Sequence, residues 1–177
     1  YDKNNLVPFG EFLPFENFLS KLGLKKITQG YNSFSDSLER ESVSDGKYKF
    51  LPLICYEIIY TGKLNKKFKD FDYIVNISED GWFGNSIGPE QHFSHSIFRA
   101  IEEGKNLYRS SNNGISAHIN PVGKIEDKIK STQSGVIEVK NVKFIKKTIF
   151  SKQGNKIFFY FLLIYITFAS FLKRKDL

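Results

Sequence analysis

The sequence predicts an α/β or α+β domain, strands packed against helices, followed by a single membrane-spanning helix. Three observations lead there. Short runs of β-branched and aromatic residues surround one strongly periodic helical segment. Sixteen consecutive residues near the C-terminus, Ile157 to Leu172, carry no charge. The chain as a whole is 41% hydrophobic and 25% charged over 177 residues, which excludes wholesale disorder and allows one real core.

Residues 1–150 carry the domain and residues 151–177 the membrane segment. In YDKNNLVPFGEFLP, Lys3 stands just ahead of a strand-like apolar run, and Glu11 follows a Pro-Phe-Gly turn. Residues 31–47 are polar and turn-rich, a loop or hairpin. KYKFLPLICY and FDYIVNIS suit strands, with β-branched and aromatic residues. IGPEQHFSHSIFRAIEEG suits a helix, with Pro89 in its first turn and Gly104 at its stop. Phe93, Ile97, Ala100, Ile101 and Gly104 share one face at helical spacing. NLYRSS follows as a strand and NNG as a turn. ISAHINPVGKI reads as two short strands around Pro-Val-Gly, and SGVIEVKNV as a last strand.

The uncharged run is short beside the roughly 17–25 apolar residues of a membrane helix. Flanking lysines that reach toward the interface lengthen it. It has no polar face to show solvent, so a transmembrane helix over 157–172 is preferred to a buried core helix. The basic tail, Lys173 to Lys175, argues for a cytoplasmic C-terminus and places the bulk of the chain on the opposite side. The net charge of +7 comes without a dense basic cluster interleaved with stacking aromatics, so no nucleic-acid partner is expected. The chain starts with Tyr and contains no Met, so a piece of a longer protein is expected.

The only cysteine, Cys55, lies in LPLICYEIIY, where a strand would run into a helical EIIYTGKL. A helix start presents unpaired N–H groups and partial positive charge, which favour a thiolate and an oxyanion. A buried cysteine in an apolar core is the competing reading, and the local sequence does not separate the two. His92, His95 and His118 are available as bases. The i,i+3 spacing of His92 and His95 also suits a metal pair, but no third ligand is evident, and ordinary helix histidines are the better reading.

Taken together, YDKNNLVPFGEFLP, ICYE and NISEDGWFGNSIGPEQHFSHSIFRAIEEGKNLYRSSNNGISAHINPVGKI resemble the nitrilase, or carbon–nitrogen hydrolase, superfamily. Within it they are similar to the apolipoprotein N-acyltransferases of bacterial membranes. The motifs fall in the family's order, and the closing apolar segment separates this branch from soluble nitrilases and amidases. The resemblance implies an α/β fold, part of a nitrilase-like α-β-β-α sandwich, with one C-terminal transmembrane helix. It makes Cys55 the nucleophile and Lys3 the catalytic lysine. Glu11 and Glu57 are implied as supporting acidic residues, and the backbone N–H of Tyr56 as an oxyanion donor beside Lys3. The superfamily's general-base glutamate is expected upstream of Lys3, so these residues should hold two of three catalytic groups.

The implied reaction is acyl transfer from a phospholipid donor, through a Cys55 thioester, to the amine of a diacylglyceryl lipoprotein. No cofactor or metal is implied. The implied setting is the bacterial inner membrane, with the catalytic domain periplasmic. In GWFG, Trp82 and Phe83 stand between Gly81 and Gly84, a mobile loop that could meet lipid or a turn with a core tryptophan. Two other functions compete: an amidase-type hydrolase in which water attacks the thioester, and an inactive membrane-anchored remnant of a split gene.

Overall fold

The computed structural model describes residues 1–177 apart from 28–33, 36–39, 63, 65–70, 140–141 and 176–177. Six strands form one mixed sheet in chain order: β1 (Val43–Ser44), β2 (Lys49–Ile54), β3 (Tyr73–Glu79), β4 (Asn106–Asn112), β5 (Ser116–Ile119) and β6 (Ile125–Ile129). β2, β3 and β4 run parallel; β1, β5 and β6 are antiparallel to their neighbours. Parallel neighbours require a crossover, and the long helix Gly88–Glu103 supplies the one between β3 and β4. With the one-turn helix α1 (Glu16–Leu19) ahead of it, this crossover is α2.

Register explains why α2 lies where it does. Leu51, Ile74, Leu107 and Ile119 face each other across the four central strands, and all four are fully buried. With Leu53, Phe93 and Ala100 they belong to one apolar core. Two residues further along, the row becomes Leu53, Asn76, Arg109 and Ala117. The same face therefore changes from hydrocarbon to buried polar groups as it approaches the C-terminal ends of the parallel strands, where open α/β sheets build their sites.

The opposite face carries an aromatic row. Phe50 stacks on Tyr73 at 5.5 Å, Tyr73 meets Tyr108 at 5.3 Å, and Tyr108 meets His118 at 5.0 Å. Ile137 and Val139 line a groove beside Tyr108 and His118 on this face. One sheet with α2 on one side is the partial sandwich expected.

Several expectations change. The Pro89 start and the Gly104 stop of α2 hold, with Gly104 at φ +63°. The buried face, however, runs through His92, Phe93, Ser96, Arg99, Ala100 and Glu103, and Ile101 is 43% exposed. His92 turns inward to Asp80 and the Cys55 carbonyl, Arg99 to the Ile59 carbonyl, and Glu103 to the Ser151 hydroxyl. The run after Lys3 is no strand: only a Pro8–Phe12 bridge forms, closed by Glu11 N–H to the Val7 carbonyl at 2.8 Å. SGVIEVKNV forms no strand among its described residues. It lies over the face of the sheet, where no ladder is on offer, with Val136 94% exposed. The loop-or-hairpin reading of 31–47 falls partly outside the described residues; its end is a β1–β2 hairpin.

After the short helix α3 (Ile149–Gln153) comes α4 (Lys156–Lys175). It is long and apolar enough to cross a membrane: its window Lys156–Lys173 has mean hydropathy 1.6, and none of it is buried against the domain. At about 1.5 Å per residue its 20 residues reach about 30 Å, the thickness of a hydrocarbon core. The Thr167 hydroxyl donates to the Leu163 and Ile164 carbonyls, so this polar group is satisfied within the helix.

Candidate active site

Cys55 sits immediately after β2, partly exposed, with its backbone at φ +49°. That left-handed conformation is unusual for a residue with a Cβ and marks a sharp elbow. It turns the chain from strand into a 3-10 helix over Cys55–Ile59. The expected α-helix through EIIYTGKL does not form among its described residues. The 3-10 helix ends at Tyr60, which is extended, and Gly62 follows at φ +63°. Tyr56 lies in the first turn, where a backbone N–H has no helical carbonyl to reach. The Cys55 thiol faces the Glu79 carbonyl at the end of β3, with Sγ to oxygen 4.0 Å.

Glu57 is fully buried and joins the elbow to the N-terminal segment. One carboxylate oxygen accepts the backbone N–H groups of Asn4 (2.9 Å) and Asn5 (3.2 Å) and the Arg40 guanidinium (3.1 Å). The other accepts the Ile54 N–H at 2.8 Å and the Tyr1 hydroxyl at 3.2 Å. Burial, then the Glu57 charge, pushes the Tyr1 phenol well above its ordinary value. Glu57 thus grips the residue before Cys55 and the residue after Lys3. The structure gives it no contact with the Lys3 ammonium itself.

Lys3 belongs to Glu11. Its Nζ lies 2.7 Å from both Glu11 oxygens, and Glu11 also accepts the Val7 N–H at 2.8 Å. The turn expected at Pro-Phe-Gly makes this possible by folding Glu11 back over Lys3, with Phe9 at φ +61°. The lysine side chain is 11% exposed, so its charge is largely shielded from water.

Behind the elbow lies a polar cluster of which the sequence singled out only His92. Asp80, fully buried just after β3, accepts from the Arg109 guanidinium at 2.7 Å, the Ser78 hydroxyl at 2.7 Å and His92 Nδ1 at 2.8 Å. Burial works to raise the Asp80 carboxyl, but the His92 and Ser78 hydrogen bonds and the Arg109 charge hold it well below the usual carboxylate range. His92 Nε2 lies 3.3 Å from the Cys55 carbonyl oxygen. One signal could have found Arg109: strand alternation from Leu107 puts it on the core face, where a charge needs a partner. Asp80 carries no comparable signal, since it directly precedes a glycine turn.

Trp82 and Phe83 lie in a 3-10 turn, Gly81–Phe83, between Asp80 and α2. Trp82 is 64% exposed, with Ile87 exposed nearby in sequence. Phe83 packs on the His92 ring at 5.4 Å. Burial lowers both His95 and His118 below the ordinary histidine value, and His118 meets Asn106 at 3.3 Å on the aromatic face. Among the described residues no group of three His, Cys, Asp or Glu could hold a metal ion.

The chain is 40% identical over 156 residues, 88% of its length, to an apolipoprotein N-acyltransferase of Bradyrhizobium diazoefficiens. It is 38% identical over 180 aligned positions, 99% of its length, to one from Wigglesworthia glossinidia brevipalpis. It spans only 29% and 35% of those proteins. A solved CN-hydrolase superfamily protein from Xanthomonas campestris overlays with TM-score 0.48 at 17% identity, over 73% of this chain and 47% of that one. The carbon–nitrogen hydrolase family model matches residues 1–141, the whole sheet and both glutamate clusters. This chain belongs to the carbon–nitrogen hydrolase family.

Proposed function

We propose that the whole protein is an N-acyltransferase that moves a fatty acyl chain from a phospholipid, through a thioester on Cys55, to the N-terminal amine of a diacylglyceryl lipoprotein. The observation that carries this reading is the strained Cys55 elbow, with its thiol at the parallel strand ends and the Lys3 segment tied to it by Glu57. The similarity to N-acyltransferases and the apolar helix α4 give the substrate class.

A base takes the thiol proton; by the family resemblance it is a glutamate upstream of Lys3 in the whole protein. The thiolate attacks the acyl ester carbonyl. The carbonyl oxygen becomes an oxyanion held by Lys3 Nζ and the Tyr56 N–H, and such donors contribute about 3 kcal/mol each. The ester C–O bond breaks, the lysophospholipid alkoxide takes the proton back from the base, and a thioester remains. The amine then attacks the thioester, the C–S bond breaks, and an amide forms as the base returns the amine's surplus proton to the thiolate. Glu11 positions Lys3, and Glu57 positions both the Lys3 segment and the Cys55 elbow.

α4 anchors the domain in the inner membrane, with the domain periplasmic and the C-terminus cytoplasmic. Trp82 and Phe83 contact lipid at the headgroup level, a reading supported by the exposure of Trp82 and Ile87.

The test uses the full-length protein in phospholipid vesicles carrying a labelled acyl chain. Label that hydroxylamine releases is expected on wild type and absent from Cys55→Ala. Label persisting in that variant, or thioester discharged by water faster than by a lipopeptide amine, refutes the acyltransferase.

A further inference from the structure

We propose that His92 is a positioning residue for the nucleophile, holding the Cys55 carbonyl through Nε2 and so fixing the strained elbow. The inference rests on the reading of Cys55 as the acylated thiol. It starts from a path of hydrogen bonds that leaves β2 and returns to it. Asn76 Nδ2 donates to the Leu53 carbonyl at 2.9 Å. Arg109 donates to Asn76 Oδ1, and its other terminal nitrogen to Asp80 at 2.7 Å. Asp80 meets His92 Nδ1 at 2.8 Å, and His92 Nε2 reaches the Cys55 carbonyl at 3.3 Å. The path therefore clasps the chain at Leu53 and at Cys55, on both sides of the bend.

Every side chain on this path is buried: Asn76 and Asp80 fully, His92 and Arg109 to 3% exposure. Buried polar groups of this kind are costly unless each finds its partner, so the path is all or nothing. The Cys55 carbonyl oxygen only accepts, so the bond to it requires hydrogen on Nε2. Nδ1 faces Asp80 at 2.8 Å, the Arg109 guanidinium at 3.2 Å and the Ser78 hydroxyl at 3.5 Å, so that side of the ring has a partner whether or not Nδ1 carries hydrogen. Phe83 packs on the ring and shuts it from solvent.

The imidazole has two jobs that amide side chains separate. A glutamine at position 92 carries its nitrogen about as far out as Nε2, and an asparagine only as far as Nδ1. In the full-length protein in vesicles, His92→Gln is expected to keep acylation within about tenfold of wild type. His92→Asn keeps the bond to Asp80 but loses the grip on Cys55, and is expected to fall about 100-fold, the scale of a misplaced reacting group. Cys55 alkylation by iodoacetamide should change in rate in His92→Asn, whose elbow is no longer held, and His92→Gln should restore it. Equal acylation and alkylation rates in His92→Asn and wild type overturn the proposal. So does a fall in His92→Gln with His92→Asn spared, which marks a role in bracing Asp80 alone, and so does an equal fall in both variants, which marks a general packing role. Nitrogen NMR of histidine-labelled wild type gives a reading that needs no variant to fold: hydrogen on Nε2 of His92 is expected, and a bare Nε2 refutes the bond. Alkylation and NMR read the elbow without acyl transfer. A wild type that takes no acyl label but shows both signatures thus sinks the acyltransferase reading and leaves the positioning role standing.

Discussion

One carboxylate oxygen of Glu57 lies 2.9 Å from the backbone nitrogen of Asn4, a residue 53 positions away in the chain. Through that bond the segment bearing Lys3 is docked on the elbow bearing Cys55. Two oxygens receive five donors, from Tyr1, Asn4, Asn5, Arg40 and Ile54. Glu57→Ala should therefore cost about 3–5 kcal/mol, because it strands the buried Arg40 charge. Glu57→Gln keeps the shape but turns an NH2 toward the donors, and should cost about 1–3 kcal/mol. Denaturation of the purified full-length protein in detergent measures both. A glutamine variant as stable as wild type would show that the docking does not depend on the charge.

Lys3 is expected to behave in the opposite way, with much activity lost and little stability. Its bond to Glu11 is largely shielded, but Glu11 is 25% exposed and keeps the Val7 N–H, so water can replace the ammonium and the loss should stay at about 1 kcal/mol. As an oxyanion donor it is worth about 100- to 1,000-fold in rate. Lys3→Ala should thus unfold nearly as wild type does while Cys55 acylation falls by that factor. Lys3→Arg should recover little, since a guanidinium laid flat on Glu11 no longer offers a compact charge to a developing oxyanion. Single-turnover labelling decides it; near-normal acylation in Lys3→Ala would remove Lys3 from the reaction.

The parts of this fold that depend on local pattern were legible in the sequence. Pro89 and Gly104 bracket α2, the alternation in FDYIVNIS gives β3, and Pro-Val-Gly gives the β5–β6 turn, with Gly123 at φ +82°. Where tertiary partners decide, pattern fails. Phe93, Ala100 and Ile97 of the apolar stripe do meet the core, but the buried face also takes in His92, which bonds Asp80, and Ile101 lies outside. EIIYTGKL has helical spacing, but Glu57 spends its side chain on Asn4 and Ile54, and the chain unwinds after one 3-10 turn. The site divides the same way. Lys3, Glu11, Cys55 and Glu57 came from motif resemblance, whereas the Asn76–Arg109–Asp80–His92 path exists only once β3, β4 and α2 are adjacent.

The elbow itself makes a further prediction. A residue with a Cβ in the left-handed region carries about 1–2 kcal/mol of strain that glycine does not. At an ordinary strand position glycine is about 0.5–1 kcal/mol less stable than alanine. At position 55 that order should vanish or invert, so Cys55→Gly should unfold at the same temperature as Cys55→Ala or higher. Both variants lack the thiol and are inactive, so the comparison reads backbone strain alone. A glycine variant melting clearly below the alanine one would mean that the elbow is relaxed.

The last prediction concerns Glu103, where α2 meets the approach to α4. The Ser151 hydroxyl donates to its carboxyl at 2.7 Å, and the neighbouring Thr148 hydroxyl donates to the Glu102 carbonyl, so this end of α2 holds α3. Glu103 is 2% exposed, and burial, reinforced by the Glu102 charge against the Ser151 bond, pushes its carboxyl above the ordinary value. The folded protein therefore binds this proton more tightly than the unfolded chain does. The stability it contributes is fully present below the unfolded value, about 4.3, and is lost as pH rises through the folded one. Glutamine keeps an oxygen for Ser151 and has no charge to bury. Glu103→Gln should accordingly melt above wild type at neutral pH, with the advantage shrinking as pH falls toward about 4. Thermal unfolding across that range checks it, and a gap that stays constant with pH would place the ionisation elsewhere.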